Sequence, residues 1–229
     1  MKVITIINIH SGSGQTTVTV NLATGLQARG HRVLILDWWK TEKLNQWLGN
    51  ALSSGNQDNR PPTSLISPTR LGVDLWRLDC DEGVPEGGGA PASLMEGADY
   101  EYVLIHPTSS DHVKQLLDLP FKLAVCTDLG HPDQLGQIQA LQQSLAGAGD
   151  EPRPVDLIIS NKINTKEWDH NSQQLFALGD YYGYGILADP IPYCERIHDL
   201  PLTRRTVWEL QQENLRSAFT RLVETVEDL

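Results

Sequence analysis

The amino-acid sequence predicts an α/β fold with a mostly parallel, doubly wound sheet flanked by helices. Three observations support this prediction. Several apolar runs rich in Val and Ile have the length of buried strands. Segments with helical spacing separate some of these runs, and alternation of strands with helices gives a parallel sheet covered on both faces. The 229 residues suffice for one such unit, so we expect a single domain over residues 1–229.

The first predicted element is a strand that leads into a glycine loop and then a helix. Val3–Ile9 is apolar and β-branched, residues 10–17 are small or polar, and the helical pattern covers residues 18–30. In such a loop, glycines turn backbone N–H groups towards a phosphate, and the helix N-terminus adds partial positive charge. The hydroxyl of Thr16 stands where such loops hold magnesium, but Gln15 stands where they carry a lysine.

The residues after the loop resemble those of a known family. Asn21-Leu22-Ala23 lies on the helix, and Gly30-His31-Arg32-Val33-Leu34-Ile35-Leu36-Asp37 leads into the second strand. With the loop, this stretch resembles the opening of the bacterial ParA/MinD partition ATPases, which carry a deviant Walker A motif. That family has approximately KGGxGKTT, then NLA, then G-x-x-VLLxDxD. The resemblance implies a P-loop NTPase fold of the ParA/MinD type, with ligands at the carboxyl ends of the strands.

The resemblance also implies a set of nucleotide-site residues. They are Ser11, Gly12, Ser13, Gly14, Gln15, Thr16, Thr17, Asp37, Asn161 and Pro192. Thr16 and Asp37 would hold magnesium, if magnesium binds. Asn161 follows a predicted strand, and its amide offers a donor and an acceptor that can recognise an adenine edge. The alternative is that Asn161 only terminates that strand.

Four positions depart together from the family pattern. His10 replaces the signature lysine, Gln15 the loop lysine, Trp39 the second aspartate and His106 the aspartate of the Walker B strand. An indole has no acceptor, so Trp39 cannot orient an attacking water. A neutral imidazole is a poor ligand for a hard ion such as magnesium. We therefore expect no catalytic residues, and a degenerate ATPase whose nucleotide site is vestigial.

Tryptophans cluster after the second strand. Trp38, Trp39 and Trp47 either pack within the domain or form a surface at which another protein binds. Consecutive residues at a strand end face opposite sides, so at most one of Trp38 and Trp39 can readily pack under the sheet. We expect Trp39 to contribute to self-association or partner binding.

The remaining elements are assigned from periodicity and turn residues. Surface loops are predicted over residues 51–70 and 83–91, a half-buried strand over 72–78 and a short helix over 92–96. Further strands are predicted at Tyr100–Ser109, Phe121–Thr127, Val155–Lys162 and Gly185–Tyr193, and helices from Pro132 to about Ala146 and from about Thr206 to Asp228. The last helix carries acidic residues near its end, which anionic lipid repels, so we expect it to dock on its own sheet rather than on a membrane.

Composition and charge argue against several classes of function. The net charge of −11 argues against nucleic acid as a partner, and the run Arg196–Arg205 is the candidate patch if one exists. The three cysteines Cys80, Cys126 and Cys194 are far apart, which favours buried thiols over a disulfide framework. No secretory signal or membrane-spanning run is present, so we expect a cytoplasmic protein.

Taken together, these features favour a ParA/MinD-like pseudo-ATPase that acts through a protein partner or as a homodimer. No cofactor is expected, and any binding of ATP and magnesium should be weak. Two alternatives stay open. One is an atypical ParA-type ATPase that positions or partitions DNA or protein cargo, with phosphates held by the backbone and by Lys40 or Lys162. The other is a DNA-binding accessory protein that does not hydrolyse ATP.

Overall fold

The computed structural model describes residues 1–38, 41–49, 66–78, 99–117, 119–146 and 151–229. In these ranges the strands are β1 (Lys2–Asn8), β2 (Val33–Trp38), β3 (Ile66–Pro68), β4 (Asp74–Leu78), β5 (Tyr102–Pro107), β6 (Lys122–Asp128) and β7 (Leu157–Asn161). The α-helices are α1 (Gln15–Ala28), α2 (Glu42–Leu48), α3 (Ser110–Lys114), α4 (Gln134–Ser144), α5 (Trp168–Tyr182), α6 (Leu200–Thr203) and α7 (Glu213–Asp228). Short 3₁₀ helices cover Thr165–Glu167, Tyr184–Ile186, Glu195–Asp199 and Val207–Glu209.

The strands form one sheet with the order β3-β4-β2-β5-β1-β6-β7. Every neighbouring pair is parallel except β3 and β4, which are antiparallel. The predicted α/β fold with a mostly parallel sheet is therefore confirmed. The chain passes from β1 to one side of the sheet and later returns to the other side, so the loop after β1 lies at a topological switch point. Open α/β sheets bind ligands at such a point.

The two faces of the sheet carry two separate apolar clusters. Successive side chains of a strand point to opposite faces, and the sequence follows this period of two. Ile4 and Ile35 pack in one cluster, together with the buried side of α7. Val3 and Leu34 pack in the other cluster, on the opposite face. The hydrophobic runs are continuous because parallel strands are covered on both faces.

Helix α7 packs across α1 and contributes to the same cluster as Ile4, so it docks within the domain as expected. A glycine allows the close approach. A Cβ atom at Gly25 of α1 would lie 2.5 Å from the ring of Trp208 and 2.7 Å from a methyl of Val223. The indole of Trp208 donates a hydrogen bond of 3.0 Å to the hydroxyl of Thr24. This end of the chain therefore closes one face of the core.

Three predictions about secondary structure were wrong. The segment Gly185–Tyr193 is not a strand: it begins in a 3₁₀ turn and makes isolated bridges at Leu187 and Pro192, because its prolines cannot donate ladder hydrogen bonds. The last helix does not begin at Thr206, which instead caps a 3₁₀ turn before α7. The region 51–70 is not entirely loop, since β3 lies within it and pairs with β4.

Four helices were not predicted: α2, α3, α5 and α6. The buried side of α5 includes Asn171 and Gly179, which interrupt the apolar pattern from which helices are recognised. Trp38 and Trp47 are each 1% exposed, so both pack in the core rather than forming a surface cluster. Cys126 is buried and Cys194 is partly buried, and both are free thiols.

Several predictions concern residues outside the described ranges. They are the predictions for Trp39, Lys40 and Cys80, for the loop at 83–91, for the helix at 92–96 and for most of the loop at 51–70. Within the described ranges, no helix combines the length and apolar character that crossing a bilayer requires.

Candidate functional site

A cleft of about 990 Å³ opens at the carboxyl ends of β1, β5 and β7. The loop between β1 and α1 forms one wall. The opposite side is formed by α2 and by the segment from Pro192 to Leu202. Lysine side chains line the cleft at Lys43 and Lys162, and Glu42 is the one carboxylate among its described lining residues. The described lining is thus more basic than the chain as a whole.

The loop adopts a backbone that requires glycine at its turn into α1. Gly12 and Gly14 have φ of 85° and 94°, in the left-handed region. At Gly14 a side chain is also excluded by a neighbour, since a Cβ atom there would lie 2.0 Å from Nδ2 of Asn161. Helix α1 then begins at Gln15. Its N-terminus therefore faces the cleft, as the sequence predicts.

The side-chain amide of Gln15 is engaged with the ends of β1 and β5. Its Nε2 group donates hydrogen bonds to the carbonyl oxygens of Ile6 at 2.8 Å and Pro107 at 2.7 Å. The residue is 7% exposed. The β1–β5 ladder ends at the pair Thr5 and Ile105, so the amide joins the two strands just beyond it. Both N–H bonds of the amide are used, and none is left for a phosphate.

Residues at the ends of β6 and β7 hold the loop from the other side. Asn161 donates from Nδ2 to the Ser13 carbonyl at 2.9 Å, and the thiol of Cys126 donates to the same oxygen at 3.4 Å. Burial raises the pKa of Cys126 to about 12, so the thiol keeps its proton. The ammonium of Lys162 donates to the Gly12 carbonyl. Asn161 is the last residue of β7, in agreement with the alternative that it terminates the strand, and its amide contacts the loop.

His106 lies at the end of β5 and is 2% exposed. Its Nε2 is 3.2 Å from the hydroxyl of Thr16, and its Nδ1 is 3.5 Å from the hydroxyl of Thr41. Burial lowers the pKa of His106 to about 4, so the ring is neutral at pH 7. The Thr41 hydroxyl donates to Asp37 at 2.7 Å, so Nδ1 carries the ring hydrogen and Nε2 accepts from Thr16. A row of hydrogen bonds thus links α1, β5 and β2.

Asp37 is fully buried at the end of β2. One oxygen accepts from the Thr41 hydroxyl and the other from the Thr41 backbone N–H at 2.8 Å. Burial raises the pKa of Asp37, while these hydrogen bonds and the nearby Arg77 act in the opposite direction. In the sheet register, Asp37 stands between Arg77 of β4 and His106 of β5. The carboxylate is therefore held by its own loop and compensated by a neighbouring cation.

The structure brings most of the predicted site residues to the cleft. Its lining includes His10, Ser11, Gly12, Gly14, Gln15, Thr16, Thr17, His106, Asn161 and Pro192. Ser13 and Asp37 are buried and do not line it. Trp39 lies outside the described residues. Among the described residues, no group of three or more His, Cys, Asp or Glu side chains is arranged to hold a metal ion.

Sequence reasoning missed Thr41, which connects Asp37 to His106. Its side chain and backbone N–H both contact Asp37, and it is the residue that precedes α2. A signal was present, because a Thr followed by Glu42 and then by spaced apolar residues is typical of a helix start. Recognising α2 would have placed Thr41 beside the strand end.

The family relationship follows from comparison with known proteins. The sequence-family model of the CobQ/CobB/MinD/ParA nucleotide binding domain matches residues 4–207 of this chain. The chain belongs to this family. The match covers the loop, the sheet and every site residue discussed above, so the predicted ParA/MinD-like relationship is confirmed. No curated protein sequence matches the chain.

Solved structures share the fold at low sequence identity. MinD in the MinC:MinD cell division complex of Aquifex aeolicus matches with a TM-score of 0.76 and 16% identity, over 100% of this chain and 97% of that one. A putative plasmid partition protein of Borrelia burgdorferi bound to AMPPNP gives 0.76 and 16%, over 100% and 99%. Cobyrinic acid a,c-diamide synthase of Mycobacterium smegmatis, with an ATP analogue and magnesium, gives 0.71 and 19%, over 98% and 93%. These similarities concern the fold.

Proposed function

We propose that this protein is a ParA/MinD-like pseudo-ATPase of one domain that works by binding a protein partner, or a second copy of itself, in the cytoplasm. The observation that carries the proposal is the hydrogen bond between His106 and Thr16. The hydroxyl that would hold magnesium donates to a buried neutral imidazole. ATP hydrolysis in this family depends on a metal and a phosphate. Here the Thr16 hydroxyl and the Gln15 amide, which stand at the positions that would contact them, form hydrogen bonds within the protein.

The residues present do not fit a magnesium ion. Magnesium needs oxygen ligands in near-octahedral geometry. The Thr16 hydroxyl forms a hydrogen bond with Nε2 of His106. Both oxygens of the buried Asp37 carboxylate accept hydrogen bonds from Thr41. Asp37 is also absent from the cleft lining. The Thr16 hydroxyl keeps its oxygen lone pairs for a metal, but the neighbouring imidazole is a poor magnesium ligand and the Asp37 carboxylate lies buried outside the cleft.

Phosphate binding is weakened by a separate cause. The two lysines expected from the family, at the positions of His10 and Gln15, are missing. A hydrogen bond to a charged group contributes about 1.5–3 kcal/mol, so their loss costs about 3–6 kcal/mol of affinity. A micromolar site would become millimolar or weaker. The backbone N–H groups of the loop and the start of α1 are what remain for an anion.

The test is a calorimetric titration with ATP, with and without magnesium, alongside an assay of phosphate release. We expect no turnover, binding no tighter than millimolar, and no effect of magnesium. Gln15→Lys should not restore turnover, because Trp39 and His106 still leave the attacking water and the magnesium unsupported. Magnesium-dependent hydrolysis in Gln15→Lys, or a large rise of melting temperature at micromolar ATP, would contradict the proposal.

A second candidate function is an atypical ATPase, and one observation favours it. Lys162 brings an ammonium to the loop at the Gly12 carbonyl, with Asp128 at 3.4 Å. This lysine, which directly follows β7, could thus approach a phosphate from the side of the loop opposite α1. Under this alternative, Lys162→Met should abolish ATP binding. Under the pseudo-ATPase proposal, the same variant should change the stability of the loop, and its weak affinity for ATP should stay within about twofold of the wild-type value.

A further inference from the structure

One side of α5 exposes aromatic side chains to solvent. Trp168 is 59% exposed, Phe176 57% and Tyr184, just beyond the helix, 56%. None of these residues lines the cleft. Large aromatic side chains bury 150–250 Å² each when covered, as a general magnitude, so leaving them in water forfeits much hydrophobic free energy. Where exposed apolar side chains lie next to one another, they commonly mark a site at which another molecule binds.

Helical spacing places these rings in adjacent rows. Phe176 follows Asp169 by seven residues and precedes Asp180 by four, so the three share one side of α5. Trp168 and Gly179 lie in the next row, and the Tyr184 ring packs where a Gly179 side chain would be. From Trp168 to Gly179 the helix rises about 16 Å. We name Trp168, Asp169, Phe176, Asp180 and Tyr184 the α5 surface.

Three carboxylates, those of Glu167, Asp169 and Asp180, lie beside the rings, and Lys166 is the neighbouring cation. Within the described part of the chain, the carboxylates of Glu167 and Asp169 have no hydrogen bond or ion pair. Asp180 accepts one hydrogen bond, from the Tyr184 hydroxyl at 3.2 Å. A guanidinium or ammonium group can stack on an aromatic face while it donates to an adjacent carboxylate. The α5 surface offers both features side by side.

We propose that the α5 surface docks a protein segment in which aliphatic side chains alternate with arginine or lysine. The aliphatic groups would cover Trp168 and Phe176, and the cations would pair with Asp169 and Asp180. Charge complementarity carries the choice of occupant. A second copy of this acidic chain would bring more carboxylates to the same place. Because the surface lies outside the cleft, the inference does not depend on whether the cleft hydrolyses ATP.

The test uses three synthetic peptides of equal length with a fluorescent label. One combines leucine and arginine in an amphipathic pattern, the second replaces arginine by glutamate, and the third replaces leucine by serine. Binding to the intact protein is followed by anisotropy at low and high salt. We expect only the leucine–arginine peptide to bind, and more weakly at high salt.

The variants locate the binding surface. Phe176→Ser should weaken binding of the leucine–arginine peptide at least about tenfold, as expected for a central aromatic contact. Asp169→Asn should weaken it less and reduce its salt dependence. Tyr193→Ser is the matched control, because Tyr193 is 50% exposed and lines the cleft instead. Circular dichroism melts confirm that each variant is folded.

Several outcomes would overturn the proposal. They are the absence of binding, equal binding of the glutamate peptide, or loss of binding in Tyr193→Ser rather than in Phe176→Ser. Analytical ultracentrifugation tests the other possible occupant of the α5 surface, a second copy of the chain. If the wild-type chain self-associates and Phe176→Ser abolishes this, the α5 surface binds a second copy and the proposed basic segment is wrong.

Discussion

Replacing Gln15 by methionine should destabilise the protein through the sheet and not through a ligand site. The amide of Gln15 bridges the carbonyls of Ile6 and Pro107 where the ladder between β1 and β5 stops. Methionine has nearly the same length but no donor. Each buried carbonyl that loses its partner costs about 1–3 kcal/mol, so Gln15→Met should lose about 2–6 kcal/mol of unfolding free energy.

Urea denaturation with linear extrapolation measures this loss. Gln137→Met is the matched control, because Gln137 makes one hydrogen bond to the Pro132 carbonyl at the surface. That variant should stay within about 0.5 kcal/mol of wild type. An unchanged urea slope would show that the change lies in stability and not in the compactness of the unfolded chain.

A loss of unfolding free energy below about 1 kcal/mol in Gln15→Met would refute the claim that the amide satisfies two buried carbonyls. A loss of that size is what a single solvated hydrogen bond contributes. The amide would then be free to leave the carbonyls. In that case Gln15 could turn towards the cleft, and one support of the pseudo-ATPase proposal would be lost.

Three further predictions concern other parts of the chain. His31 has a raised pKa, chiefly because of its hydrogen bond to Glu227, so its stabilisation is full below the unfolded pKa and disappears as pH rises through the folded one. His31→Gln should therefore lose stability in urea melts at about pH 6 and lose less at about pH 9. Gly25→Val should cost about 1–3 kcal/mol in the same melts, because Trp208 occupies the space, and an unchanged midpoint would contradict that packing. Trp39→Ala should cost little stability but weaken self-association or partner binding in sedimentation, and a loss of several kcal/mol with association unchanged would place Trp39 in the core.

The sheet could be predicted because its physics is local. The β-branched runs that became β1, β2, β5 and β7 stand out in sequence, since strands buried on both faces have no polar alternation. The glycine loop could also be located, because its positive φ angles restrict the residues that fit. Helix α5 could not, because a buried face containing Asn171 and Gly179 lacks the apolar period.

Side-chain partners at the site were beyond sequence reasoning for a different reason. The position of His106 at a strand end was predictable, but its neighbours Thr16 and Thr41 come from α1 and from the start of α2. The same holds for Asn161, whose amide turns to the Ser13 carbonyl because the missing Cβ of Gly14 leaves room for it. Such contacts depend on how distant segments pack, which no local pattern encodes.

The two edges of the sheet limit how other chains can bind. On one side, β3 is three residues long and ends at Pro68, whose nitrogen has no hydrogen to donate. On the other side, Ala188 and Ile191 donate backbone hydrogen bonds to Ile158 and Ser160 and cover the outer edge of β7. Within the described residues, both edges of the sheet therefore disfavour the addition of a foreign strand, the route by which many sheets recruit peptides and also aggregate. Side chains on the described helices and loops are the surfaces left for recognition.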